Sequence, residues 1–310
     1  MFGTVSTYGR TLQVSDCEDR QGQVLIARDG HIYKLVGVLG RGGLSTVYRA
    51  IRFADGEVLA LKIAAAHRID ETGPLLKKEA EILKRLNHTN IVKLLDEGET
   101  REGEPFIVLG ILRGETLEQV LGAEKVLPLN RAANICLQVA SALEYAHSQG
   151  VIHKDIKPAN IMIIDDNGED TVVLYDFGIA TAVESGISVE RNSNGSLLYA
   201  APEQLGEEPC SFSTDVYQLA LVLFETLTGR LPFEKSVASA WKYRHTGPLL
   251  VDDNELGELA LGEQLRLVLL SALERNPLQR TSTMANFAES LYQAMLKFSN
   301  SALRPQVRFA

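Results

Sequence analysis

Gln23 to Ala27 is an apolar run of strand type. Asp29-Gly30 follows as a hairpin-turn pair, and His31 to Leu39 forms a second run. The pattern predicts a hairpin that adds one strand ahead of a longer one. Val58 to Ile63 is again of strand length, with a single charge, Lys62, inside it. From Pro74 to Leu86 the apolar residues take helical spacing, and Phe106 to Leu109 returns to a strand pattern. Asn130 to Gln149 predicts a long amphipathic helix, with Ile135, Val139, Ala142, Leu143 and Ala146 on one face. Residues 1–21 show no period and are expected to form an irregular extension. The segment from Phe298 onward, with Pro305 and two arginines, is expected to be irregular as well.

Composition narrows the classes. At 310 residues, 45% hydrophobic and 23% charged, the chain has ample material for a core and matches ordinary globular proteins. A net charge of −9 argues against nucleic acid as a partner, because phosphate contacts need clustered Lys and Arg. Cys17, Cys136 and Cys210 are odd in number, far apart and without metal-ligand spacing, which suggests reduced thiols and a cytoplasmic location. The N-terminal segment lacks an apolar run of signal-peptide length. The longest apolar stretch, Val216 to Leu227, is interrupted by Gln218 and Glu225 and is too short to span a bilayer.

Two stretches carry candidate chemistry. Leu39-Gly40-Arg41-Gly42-Gly43-Leu44-Ser45-Thr46-Val47 is a glycine-rich turn flanked by strand-like runs, where backbone N–H groups can approach phosphates closely. The second runs from His153 to Gly178: His153-Lys154-Asp155-Ile156-Lys157-Pro158-Ala159-Asn160, an apolar run with a polar turn, then Asp176-Phe177-Gly178. Each piece has a physical job if the substrate is a nucleoside triphosphate. Phosphoryl transfer needs a carboxylate to orient the incoming hydroxyl and accept its proton, which Asp155 would supply. Asn160 and Asp176 offer hard oxygen ligands of the kind Mg²⁺ takes, and Lys157 could reach the γ-phosphate.

This string resembles the catalytic and metal-binding loops of the eukaryotic-like protein kinases, H-R-D-x-K-x-x-N followed by D-F-G, and Lys157-Pro158 resembles the serine/threonine branch. The resemblance extends over roughly residues 31 to 296. It implies that Lys62 contacts the α- and β-phosphates and pairs with Glu79, which spacing favours over Glu81. Adenine would bond backbone groups of Gly110 and Leu112 beside the gatekeeper Leu109, with Leu39, Val47, Ala60 and Met162 around the purine. The activation segment would hold Thr181, Ser185, Ser188 and Ser193 and close on Ala201-Pro202-Glu203, with Ser196 where the family has a threonine. His153 and Phe177 would stack with Leu83 and Leu94. Asp215 would hold the catalytic-loop backbone, and Arg280 would pair with Glu203. The chain departs from the pattern at Ser45, a glycine in the family, and at Gly110, commonly glutamate. It departs again at Lys154, commonly arginine, so loop phosphorylation is expected to activate only weakly. Gln218 and Ala220 replace a serine and a glycine, a change expected to affect packing more than chemistry.

The fold expected is α+β and two-lobed: a small antiparallel β lobe with one helix over residues 31–111, and a mainly helical large lobe over 112–297. An extension, 1–30, and a tail, 298–310, flank them. The expected activity is transfer of the γ-phosphate of ATP, with Mg²⁺ or Mn²⁺, to Ser or Thr hydroxyls of protein substrates; a homodimer is one candidate assembly. A pseudokinase is the first rival, opposed by the presence of Lys62, Asp155, Asn160 and Asp176. A small-molecule kinase is the second, opposed by the Ala-Pro-Glu motif.

Overall fold

The computed structural model describes residues 20–166, 168–178, 180–182, 194–206, 209–233 and 262–302. The chain divides into two compact units, one of residues 1–76 and 96–108, the other of 77–95 and 109–310.

The smaller unit is built on a curled six-stranded sheet of β1 (Val24–Ile26), β2 (Ile32–Arg41), β3 (Ser45–Arg52), β4 (Val58–Ala64), β5 (Leu94–Glu99) and β6 (Pro105–Gly110), in the order β1-β2-β3-β4-β6-β5. Period-two burial explains it: β4 buries Leu59, Leu61 and Ile63, while Val58, Ala60 and Lys62 take the more open face. Strand β1 pairs antiparallel with β2 around the Asp29-Gly30 turn, where Gly30 takes φ +91°. The two sheet edges then meet. Ala27 bridges Gly98, and Arg28 donates its N–H to the Glu97 carbonyl at 2.8 Å. Arg20 adds a two-pronged grip on Glu104.

Closure demands a glycine at 98. A Cβ there would sit 2.5 and 2.8 Å from the Phe106 ring and 3.1 Å from the Ala27 Cα. Gly98→Val is expected to cost ~1–3 kcal/mol by overpacking, read as a lower urea midpoint. An unchanged midpoint would show that Phe106 yields freely.

Helix α1 (Ile69–Lys84) starts five residues earlier than the sequence pattern suggested, with Pro74 inside it. Proline removes one i→i−4 bond, and Thr72 reinforces that turn by donating its hydroxyl to the carbonyls of Ala65 and Arg68 at 3.1 and 3.0 Å. Residues 77–95 group with the larger unit. Their hydrogen bonds explain why. Asn90 donates its amide to Gln138 Oε1 at 3.1 Å and to the Val172 carbonyl at 2.7 Å, and His88 stacks on Tyr145.

The larger unit contains β7 (Glu115–Thr116), α2 (Leu117–Glu124), α3 (Leu129–Ser148), β8 (Val151–Ile152), β9 (Ile161–Asp166), β10 (Glu169–Leu174) and β11 (Thr181–Ala182). It continues through α4 (Asn194–Tyr199), α5 (Phe212–Thr228), α6 (Gly262–Ala272) and α7 (Met284–Ala302). Helix α3 packs on α5 and α7. All side chains from Ser213 to Leu227 on α5 are buried, which marks α5 as the central helix. Cys136 lies wholly inside on α3, and burial pushes its thiol up to about 12, consistent with an inert structural thiol. Helix α7 runs through Ala302, past the expected start of an irregular tail at Phe298. Among the described residues, no helix is long and apolar enough to cross a membrane.

Candidate active site

In the smaller unit, β2 and β3 meet at the glycine-rich turn, with Gly40 opposite Val47, Arg41 opposite Thr46, and Gly42 donating its N–H to the Ser45 carbonyl at 2.9 Å. Leu44 follows in the turn. None of Gly40, Gly42 and Gly43 takes a positive φ. Among the described residues, a Cβ on Gly40 or Gly43 would meet nothing within 4 Å. Neither backbone conformation nor internal packing therefore explains these glycines; close approach by a ligand would. Leu39 is exposed on β2. Lys62 lies opposite Val47 in the β3–β4 register and shares its strand face with Ala60.

The larger unit holds the remaining candidates. Glu79 is 3% exposed, whereas its rival Glu81 lies at the surface and pairs with Lys84 at 2.6 Å. Gly110 donates its N–H to the Lys93 carbonyl at 3.1 Å, and Leu112 follows, half-buried. Met162 on β9 pairs with Val173 on one side and Thr116 on the other.

The segment 153–160 is fixed from several directions. Asp155 is 7% exposed, and its Oδ2 accepts from Lys157 Nζ at 2.7 Å and from Asn160 Nδ2 at 3.1 Å. Asn160 Nδ2 also donates to the Asp155 carbonyl at 2.8 Å, so its oxygen end remains as a hard ligand. Tyr175 ties the two loops together, donating its N–H to the Asn160 carbonyl at 3.1 Å and its hydroxyl to the Ala159 carbonyl. Next to it Asp176 takes φ 65°, and Lys154 takes φ 68°. Each such left-handed non-glycine residue costs ~1–3 kcal/mol and persists only where neighbours over-determine it.

For Lys154 that constraint comes largely from α5. Asp215 accepts the Lys154 N–H on Oδ1 at 2.8 Å, and the His153 N–H and His147 Nε2 on Oδ2 at 2.9 and 2.8 Å. Burial pushes the Asp215 carboxyl up, but the His147 hydrogen bond and charge, with the Lys154 N–H, prevail and hold it below the usual range. His153 packs edge-on against Phe177, ring centroids 4.5 Å apart, and its Nδ1 accepts the Asp155 N–H at 3.2 Å. Burial lowers the His153 pKa against the pull of nearby carboxylates, so the ring is neutral. Leu83 is buried and Leu94 half-buried.

Both shifts are downward, so both groups contribute stability that is lost as pH falls. For His153 the loss begins below its ordinary value near 6.5, and for Asp215 below about 4. The urea midpoint is expected to decline from pH 7 to pH 5, and His153→Leu should flatten that slope. An equal slope in the variant would assign the decline elsewhere.

Thr181 lies in β11, opposite Ile152, and Ser196 lies in α4. Ser185, Ser188 and Ser193 fall outside the described residues. Glu203 and Arg280 form a buried two-pronged pair, NH1 to Oε1 at 2.8 Å and NH2 to Oε2 at 3.0 Å.

Gln218 departs from expectation. It is not a packing substitution: its amide bonds backbone groups on both sides of Asp155, with Gln204 beside it. The available sequence signal was its place three residues after Asp215, on the same helix face.

Comparison with known proteins agrees with this geometry. Residues 33–294 match the protein kinase domain family. A probable serine/threonine-protein kinase of Clostridium perfringens is 32% identical over 257 residues, 82% of this chain and 37% of that protein. Serine/threonine-protein kinase pkn3 of Myxococcus xanthus is 32% identical over 84% of this chain and 49% of its own length. PknJ, a serine/threonine-protein kinase of Mycobacterium tuberculosis, is 34% identical over 85% and 45%. The chain thus spans less than half of each of these relatives. A family match of this extent, with Lys157 and Asn160 both on the Asp155 carboxylate, makes the chain a member of the protein kinase domain family.

Proposed function

We propose that this chain catalyses transfer of the γ-phosphate of ATP to serine or threonine hydroxyls of protein substrates, in the cytoplasm. The observation that carries the reading is the Asp155 carboxylate, buried, with Lys157 and Asn160 both on Oδ2 and the other oxygen left for an incoming hydroxyl. Asp155 would orient that hydroxyl and take its proton, while Lys157 would face the charge developing on the transferred group. Asn160 and Asp176 would hold Mg²⁺, or Mn²⁺ in its place, through hard oxygens; the bound ion would neutralise phosphate charge. Glycines 40, 42 and 43 with Lys62 would receive the phosphates, and Gly110 and Leu112 the adenine. Glu79, buried, would orient Lys62.

Lys157 supports Ser/Thr over Tyr, since it occupies the loop position that marks that branch. Incubation with labelled ATP, Mg²⁺ and a generic protein substrate, followed by acid hydrolysis, should give phosphoserine or phosphothreonine. Phosphotyrosine as the main product, or no transfer at all, would overturn the reading.

A further inference from the structure

The Asp155 carboxylate is held by Lys157 and Asn160, and α5 grips the backbone on both sides of it. Gln218, 1% exposed, accepts the Ile156 N–H on Oε1 at 3.0 Å and donates Nε2 to the Lys154 carbonyl at 2.9 Å. One planar amide therefore grips the peptide group before Asp155 and the peptide group after it. The second hydrogen of Nε2 goes to Gln204 Oε1 at 2.9 Å, and Gln204 Nε2 donates to the same Lys154 carbonyl at 3.0 Å. Gln204 Oε1 also accepts the Ala201 N–H at 2.9 Å, which ties in the Ala201-Pro202-Glu203 segment.

We infer that Gln218, supported by Gln204, is a positioning residue that sets the direction of the Asp155 carboxylate; this rests on the phosphoryl-transfer reading above. The left-handed Lys154 turn explains why a clamp is needed. A residue held at φ 68° relaxes toward ordinary backbone angles when its carbonyl is released, and that rotation swings the next side chain. Serine, the family's residue at 218, is too short to reach both peptide groups. Glutamine reaches both because Asp215 and Gln218 lie on one face of α5 and its side chain extends two carbons beyond Cβ to the amide group.

Gln218→Met keeps side-chain length and removes donor and acceptor together; Gln218→Ser is the second variant should methionine prevent folding. The measurements are kcat, KM for ATP, the urea midpoint and amide exchange at Ile156. A positioning role predicts that kcat falls ~10- to 100-fold while KM for ATP stays within ~3-fold and the native fraction is unchanged. The Ile156 amide should exchange faster. Combining the change with Gln204→Met should cost less than the product of the single effects, because both amides serve one carbonyl. A kcat within ~3-fold of wild type, or a fall no larger than the loss of native protein, overturns the role. If the wild-type protein transfers no phosphate, the kinase reading fails separately and exchange judges the clamp. Faster exchange at Ile156 in the variant then supports it, and unchanged exchange overturns it.

Discussion

Asp155→Asn is expected to abolish phosphoryl transfer while the protein stays folded. The substitution is nearly isosteric, and the amide oxygen can still accept from Lys157 Nζ, now at 2.7 Å. What disappears is the negative charge and the basic oxygen, both needed once the hydroxyl proton moves. A positioned general base contributes ~10²–10⁴-fold, or ~2.7–5.5 kcal/mol of barrier. That term exists in the transition state and not in the folded ground state, so rate should suffer far more than stability. Lys62→Met tests the same separation in the smaller unit, where loss of the charge of a half-buried lysine should spare the β3–β4 register and remove phosphate positioning. Initial rates and urea midpoints should be measured together for each variant. Turnover within ~10-fold of wild type, ~1.4 kcal/mol, would mean the role belongs to another residue.

The largest effect on stability is expected at Arg280. Its five N–H donors are all spent: two on Glu203, and one each on the carbonyls of Ser213, Glu274 and Arg275. The guanidinium also lies 4.8 Å from the Tyr217 ring centroid. Such a pair offsets its desolvation only because nothing is left unmet. Arg280→Met strands the Glu203 carboxylate with Thr214 as its remaining partner and removes the guanidinium bonds to the Ser213, Glu274 and Arg275 carbonyls, at an expected ~3–5 kcal/mol. Glu203→Gln should cost less, because the carbonyl bonds of Arg280 survive. Against a typical total of ~5–15 kcal/mol, the arginine variant should unfold at much lower denaturant. An Arg280→Met cost below ~1 kcal/mol, or the reverse order of the two variants, would show that the segment relaxes and rehydrates.

The strands, the Asp29-Gly30 turn and helix α3 were legible because each depends on neighbours in the chain. Alternation assigns a strand its two faces, and a 3.6-residue period assigns a helix its buried stripe. The candidate loop was legible for a related reason: Asp155, Lys157 and Asn160 meet within six residues, so their spacing already brings them together. Family spacing likewise singled out the Glu203 and Arg280 pair, although local pattern could not reveal that every guanidinium donor would be used.

Other features depended on partners far away in sequence. Spacing chose Glu79 over Glu81, but only packing buried one and left the other at the surface. Closure of the sheet joins Ala27 to Gly98, and no local period marks either residue as an edge contact. The Asn90 side chain is held by α3 and β10, elements that come later in the chain, so residues around it group with the larger unit. Gln218 shows the limit most clearly. On its helix it is a polar interruption in an apolar run, and periodicity gives it no task. Its backbone partners lie 62 and 64 residues away, and only the folded approach of α5 to the left-handed Lys154 turn turns that interruption into a clamp. Local pattern determines which face a residue takes, whereas a buried amide's partners are set by what the completed fold brings within about 3 Å of it.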